Sequence, residues 1–170
     1  MRAVLRWNLW RTDPLANPMD LIEIRPLTST DLADAARLLV TLNPETPLHV
    51  VSSRLTAMLV EHPHYRIVGA FREERLVGVC GAWIATKIWC GRYLEIDNLV
   101  VDPDLHSGGI GTRLIAFLEA IGRESACEMI MLGSYTANRP SHRLYHRLGF
   151  EIWGFNFVKP LGNWSGKESG

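Results

Sequence analysis

The apolar positions change period several times along the chain, and each change marks a predicted element. Leu21 to Arg25 alternates as a short strand that Pro26 stops, and Thr28, Ser29 and Thr30 then offer hydroxyls for a helix start. Leu32, Ala35, Ala36, Leu39 and Leu42 recur at helical spacing until Asn43-Pro44. Val51, Leu55, Met58 and Leu59 define a second helix, ended by Pro63. Tyr65 to Arg72 and Leu76 to Ile84 are rich in β-branched and aromatic residues, and Glu73-Glu74-Arg75 between them predicts an antiparallel hairpin.

Beyond a turn at Gly91, Tyr93 to Val101 alternates strictly. Strand geometry places Leu94, Ile96, Asn98 and Val100 on one face and Glu95, Asp97, Leu99 and Val101 on the other, so two carboxylates share a face. Ile110, Leu114, Phe117, Leu118 and Ile121 form the stripe of an amphipathic helix over 110–124. Met129 to Leu132 is wholly apolar, which suggests a central strand covered on both sides. Asn138 to Leu148 predicts the last helix, closed by Gly149, and Trp153, Phe155 and Phe157 alternate along an expected final strand. The order β-α-α-β-β-β-α-β-α-β is that of an α+β layer with a mixed sheet.

Composition narrows the function. A chain of 170 residues fits one ordinary domain with one pocket. The 18 Lys+Arg balance 18 Asp+Glu, so no overall field draws a polyanion and nucleic acid is not expected as a partner. Residues 1–18 are expected to be a loosely ordered extension, 19–160 the domain and 161–170 a flexible tail. The start is too interrupted by Arg6, Asn8, Arg11 and Asp13 for a signal sequence, and no apolar run is long enough to span a membrane. Cys80, Cys90 and Cys127 are too widely spaced for a ligand pair and odd in number for closed disulfides, which fits a reducing cytoplasm. His62 and His64 have no third ligand at suitable spacing, so no metal is expected. Of Trp83, Trp89 and Trp153, at least two are expected in the core.

The most informative segment is Val101-Asp-Pro-Asp-Leu-His-Ser-Gly-Gly-Ile-Gly-Thr112, which leaves a strand and opens into a helix. Glycines at 108, 109 and 111 clear side chains from inward-pointing amides, and the helix start adds unsatisfied donors and a positive dipole end. Such a cradle suits a pyrophosphate, with His106 and Arg113 able to add positive charge at its edge. A Gly-Lys-Ser/Thr P-loop is missing, and the spacing is not Gly-x-Gly-x-x-Gly. An oxidoreductase built on this turn, with Glu128 as its acidic residue, leaves the C-terminal block unexplained.

His106-Ser107-Gly108-Gly109-Ile110-Gly111 resembles the Arg/Gln-x-x-Gly-x-Gly/Ala signature of the GNAT family of N-acetyltransferases. Asp97-Asn-Leu-Val-Val-Asp-Pro103 resembles that family's fourth strand and its exit. Asn138-Arg-Pro-Ser-His-Arg-Leu-Tyr-His-Arg-Leu-Gly-Phe150 is similar to its Asn-x-x-Ala-x-x-Phe-Tyr-x-x-x-Gly-Phe block. The resemblance covers roughly Ile22 to Val158. It departs from the pattern at His106, where Arg or Gln is usual, at Ser107, where glycine is common, and at Ser141, where alanine is usual.

The resemblance implies a mixed, mostly antiparallel sheet with helices on both faces and a fourth and fifth strand that run parallel but splay apart. It implies acetyl-CoA as co-substrate, with Leu99, Val100 and Val101 pairing with the pantetheine arm, His106, Ser107, Gly108, Gly109, Ile110, Gly111 and Thr112 holding the pyrophosphate, and Asn138 beside the pantetheine. Tyr145 matches the tyrosine that gives a proton to the departing CoA thiolate. A phenol titrating near ~10 stays protonated at neutral pH and suits that role. The attacking amine must shed a proton, to Asp97, to Glu95 or along a water chain. The implied reaction is direct acetyl transfer to a primary amine of a small molecule or peptide. The alternative is a module on the same fold that senses acyl-CoA or binds a protein without catalysis. Dimerisation through the aromatic last strand is a further expectation.

Overall fold

The computed structural model of the protein describes residues 22–105 and 108–162. Strands β1 (Ile22–Pro26), β2 (Tyr65–Arg72), β3 (Arg75–Lys87), β4 (Gly91–Val101) and β5 (Met129–Leu132) form one sheet in sequential order. The first four are antiparallel neighbours, and β5 runs parallel to β4. Helices α1 (Leu32–Val40) and α2 (Leu48–Glu61) precede the β2–β3 hairpin, α3 (Ile110–Glu124) connects β4 to β5, and α4 (Arg139–Arg147) follows β5. This is the expected α+β architecture.

Each face of the sheet has its own core. On one side Ala35, Ala36 and Leu39 of α1 and Leu55 of α2 bury against Tyr65, Ile67, Val79 and Val100. On the other Ile110, Leu114, Ile115 and Leu118 of α3 bury against Val68, Ala82, Leu94 and Ile96, with Leu144, Tyr145 and Leu148 of α4 at the margin. Leu94, Leu114 and Leu118 are wholly inaccessible, and truncating any one to alanine would cost about 2–5 kcal/mol. Before α1, Asp31 accepts from the Thr28 amide (2.7 Å) and hydroxyl (2.8 Å), and Arg25 clamps its carboxylate through two hydrogen bonds of 2.8 and 3.0 Å.

Strict alternation fails within β4. Val79 pairs with Val100 and Gly81 with Asp97, so Asn98 and Leu99 together oppose the single residue Cys80. Asn98 takes the extra step in a left-handed conformation, φ 54°, which asparagine tolerates better than most residues. The phase therefore flips midway. Leu94, Ile96, Leu99 and Val101 face the α3 core, while Val100 joins the α1/α2 core. Asn98 and Val100 thus do not share a face with Leu94 and Ile96 as alternation alone predicts.

The final strand does not form. Residues 151–161 carry no regular structure, and Trp153, Phe155 and Phe157 are 72%, 79% and 97% exposed. Alternation describes a strand only when a neighbouring ladder receives it, and β5 offers an edge just four residues long. Gly154 within the segment weakens it further. Consequently β5 is an edge strand, half-buried along its whole length, and not the central strand its apolar sequence suggests. Trp89 is also exposed, leaving Trp83 as the one of the three tryptophans that packs inward. Among the described residues no helix is long and apolar enough to cross a membrane. Residues 1–18 and all of the tail beyond 162 lie outside the described residues, as do His106 and Ser107.

Candidate active site

The parallel ladder between β4 and β5 is short. It runs from Tyr93 opposite Met129 to Ile96 opposite Leu132 and stops, while β4 continues to Val101. Asn98, Leu99 and Val100 have no β5 residue opposite them. A strand whose neighbour has departed can pair with an extended, amide-bearing molecule. The fork opens where the bulge sits, so the gap and the phase change coincide.

After β4, Asp102 secures the exit. Its amide donates to the Val77 carbonyl at 2.9 Å, its carboxylate accepts from the Asp104 amide at 3.0 Å, and Arg75 forms an ion pair with it. Gly109 then caps α3 in the left-handed region, φ 75°, which strongly favours glycine. The first intrahelical donor is the Arg113 amide, bonded to the Gly109 carbonyl at 3.1 Å. The earlier amides of Ile110, Gly111 and Thr112 end the helix as unsatisfied donors do, with no side-chain cap at Gly109. Gly111 lies beneath Leu144 of α4 and beside Val101, with room for a methyl group. A diphosphate fits this helix start on its donors and its dipole. The Arg113 guanidinium, expected at the edge of the cradle, reaches back to donate to the Ile22 carbonyl of β1 at 2.5 Å.

On the α1/α2 side of β4, Asp97 is held by the Trp83 indole N–H at 3.3 Å and the Asn98 side-chain amide at 2.6 Å, both to Oδ2. Burial pushes its carboxyl above the usual range, the Trp83 hydrogen bond opposes this, and the adjacent Glu95 charge adds to the rise. Glu95 shares the face, but its carboxylate lies 3.9 Å from Lys87 Nζ and is 40% exposed. Asp97 has no such counter-ion among the described residues.

Tyr65 belongs to the same group and was not anticipated. It packs against Trp83 with ring centroids 4.6 Å apart, and burial together with Asp97's charge drives its phenol well above the ordinary value. Its hydroxyl occupies the space over Gly81, where any Cβ would overlap it. Gly81 pairs directly with Asp97. A glycine opposite an acidic residue inside an otherwise apolar strand was the one sequence signal for this arrangement.

Tyr145 lies on the opposite face, at the margin of the α3 core, with the Phe150 ring 6.0 Å away. Burial raises its phenol, a hydrogen bond with Ser141 one turn earlier counters that, and Cys80 adds a smaller push. Ser141, the departure from the family's alanine, therefore touches the candidate acid. Cys80 is fully buried, and its thiol is raised by burial and by Asp97. Asn138 is the N-cap of α4; its backbone bonds to Tyr135 and His142, and its exposed side chain does not cap the helix. Just past β5, the Ser134 hydroxyl is buried with no partner among the described residues.

A cavity of about 130 Å³ opens on the α1/α2 side. Leu39, Val51, Leu55 and Met58 form its apolar wall, Tyr65 and Asn98 its floor, and Asn43, Thr46 and Arg54 its rim. Asn98 joins it directly to Asp97. None of the rim residues stood out in the sequence, since polar residues on connecting turns and helix faces carry no periodic signal. Among the described residues no three His, Cys, Asp or Glu side chains cluster as metal ligands would.

These features have relatives. Residues 33–150 match the family model described as Acetyltransferase (GNAT) family. Over 149 residues the chain is 29% identical to the aminoalkylphosphonate N-acetyltransferase of Salmonella typhimurium, covering 84% of this chain and 94% of that one. The crystal structure of a Trypanosoma brucei acetyltransferase superposes with a TM-score of 0.70 at 27% identity, over 82% of this chain and 99% of the other. That of an aminoglycoside N-acetyltransferase in complex with CoA gives 0.74 at 20% identity, over 83% and 95%. With a glycine-started helix leaving a fork between parallel strands, and a family match spanning both, the chain belongs to the GNAT family of acetyltransferases.

Proposed function

We propose that the protein transfers the acetyl group of acetyl-CoA to a primary amine of a small molecule by direct attack in a ternary complex. In this reading Leu99, Val100 and Val101 pair with the pantetheine arm in the fork, Asn138 lies beside it, and the amides of Gly108, Gly109, Ile110, Gly111 and Thr112 hold the diphosphate, with His106 and Ser107 continuing the cradle. The bound thioester supplies an activated carbonyl. Asp97 accepts the proton of the attacking amine as the C–N bond forms, and Tyr145 gives its proton to sulfur as the C–S bond breaks. Glu95, tied to Lys87, serves as a second acidic group near the amine's path.

The observation that carries this reading is the half-buried Asp97, raised by burial and lacking a counter-ion, on the strand that leaves the fork. A carboxylate closer to neutrality is a better proton acceptor at working pH. Tyr145, raised by burial, remains protonated and able to donate. The relatives named for small amines support a small acceptor. Free Cys80, Cys90 and Cys127 support a reducing compartment, in keeping with a cytoplasmic enzyme.

Thiol release from acetyl-CoA across a panel of primary amines tests the proposal. Turnover with at least one amine is expected, and Tyr145→Phe should lower kcat by about 10²-fold while the CoA dissociation constant stays nearly constant. Tight CoA binding with no thiol release from any amine would favour the sensing alternative.

A further inference from the structure

We infer that the acceptor is a short amine carrying an anionic group, and that Arg54 is the residue that selects for it. This rests on the acetyl-transfer reading and adds the acceptor's class.

Arg54 projects from α2 to the rim of the cavity. Four other arginines spend their charge on carboxylates: Arg25 on Asp31, Arg37 on Asp34, Arg75 on Asp102 and Arg123 on Glu119. Arg54 forms no hydrogen bond or ion pair with any described residue, and it is the one arginine at the cavity. Its planar fork matches a carboxylate or a phosphate. Asn43 and Thr46 stand on the same rim and add polar hydrogen-bonding groups beside it.

The part of the cavity lined by Asn98 has the opposite character. Asn98 donates to Asp97, whose carboxylate has neutral hydrogen-bond donors but no cation. An ammonium beside Asn98 sits one hydrogen-bonded residue from the Asp97 carboxylate, which lies just behind the lining, and an anion beside Arg54 finds a guanidinium. The apolar wall of Leu39, Val51, Leu55 and Met58 between them suits a few methylenes. The volume, about 130 Å³, is close to that which accepts a single six-carbon ring, so the molecule held inside is small. A zwitterion of this form satisfies both ends at once, whereas a neutral amine leaves Arg54 without an anion.

The test pairs anionic amines with neutral counterparts: β-alanine against β-alaninamide, and 2-aminoethyl phosphate against ethanolamine. Thiol release should favour one or both anionic members in kcat/KM by roughly ten- to hundredfold, and the preferred pair identifies carboxylate or phosphate. Arg54→Gln should collapse that preference toward unity, and Arg54→Lys should restore part of it. Equal use of charged and neutral amines, or a preference that survives Arg54→Gln, overturns the inference while leaving acetyl transfer intact. If no amine releases thiol, the transfer reading fails instead. Calorimetry with β-alanine and 2-aminoethyl phosphate still decides the Arg54 site: binding lost in Arg54→Gln upholds it, and no binding to the wild type overturns it.

Discussion

The two sides of β4 are built from different materials. Toward α3, the fork and the helix start present main-chain groups, shaped by a left-handed Gly109 and by a strand whose neighbour has ended. Toward α1 and α2, side chains converge from separate elements: Arg54 from α2, Tyr65 from β2, Trp83 from β3 and Asp97 from β4. Main-chain sites depend on conformation and so tolerate many side chains around a few fixed glycines. Side-chain sites depend on identity and can be re-specified one residue at a time. In the acetyl-transfer reading, backbone conformation therefore sets the donor side and side-chain identity the acceptor side.

Asp97→Asn should break the side-chain half most severely. Acetyl transfer is expected to fall by roughly 10²–10³-fold, measured by thiol release, with CoA affinity little changed. Stability should not suffer. Folding raises the Asp97 pKa, so as pH climbs through the interval between the unfolded and native values the unfolded chain loses its proton first and stability declines. The neutral amide escapes that decline, and thermal melts at pH 4 and pH 7.5 should differ less in the variant than in the wild type. For the same reason the acidic limb of the wild-type kcat/KM profile should lie above the ordinary carboxylate range and vanish in Asp97→Asn.

Gly109→Ala should strike the main-chain half. A Cβ at φ 75° costs about 1–2 kcal/mol, either as lost stability or as a shifted helix start. The CoA dissociation constant should rise by about tenfold, read by calorimetry. If instead CoA binding is untouched and acceptor use changes, the division between the two halves is wrong.

Gly81→Ala sharpens the comparison, since its Cβ would drive the Tyr65 hydroxyl from its place. Overpacking of this kind costs about 1–3 kcal/mol, which denaturant melts would register, and acceptor KM should rise more than CoA affinity falls. The smallest effect concerns a point remote from both halves. Asp31, held well below the usual carboxylate range first by Arg25 and then by Thr28, contributes stability that is present above its unfolded pKa and is lost as pH falls toward the native one. Asp31→Asn should flatten the acid side of the stability profile slightly.

How much of this was legible follows from the same division. The helix start at 109–111, the parallel β4–β5 pair and the position of Tyr145 in the last helix were readable because glycine placement and hydrophobic period encode conformation directly. The bulge was not, since Asn98 among alternating residues looks like an ordinary polar position. Its cost was the misassignment of Asn98, Leu99, Val100 and Val101 relative to Leu94 and Ile96. The final strand was over-read because Trp153, Phe155 and Phe157 alternate without a ladder to join. Arg54 was invisible as a cavity residue because nothing local distinguishes a residue that lines a cavity from one that packs or hydrates, and Tyr65 was signalled only through Gly81 opposite Asp97.

The offset at Asn98 makes β4 a strand measured by count as much as by chemistry. Deleting Asn98 would remove the offset and leave Leu99, Val100 and Val101 on the faces they now occupy, whereas adding one more residue there would send the downstream half of the strand to the wrong helical layer, carrying Val101 and the approach to the glycine turn with it. Exchanging a side chain there changes one contact, whereas inserting a residue transposes two hydrophobic cores. This stretch should therefore accept new letters, or even the loss of Asn98, far more readily than an added residue.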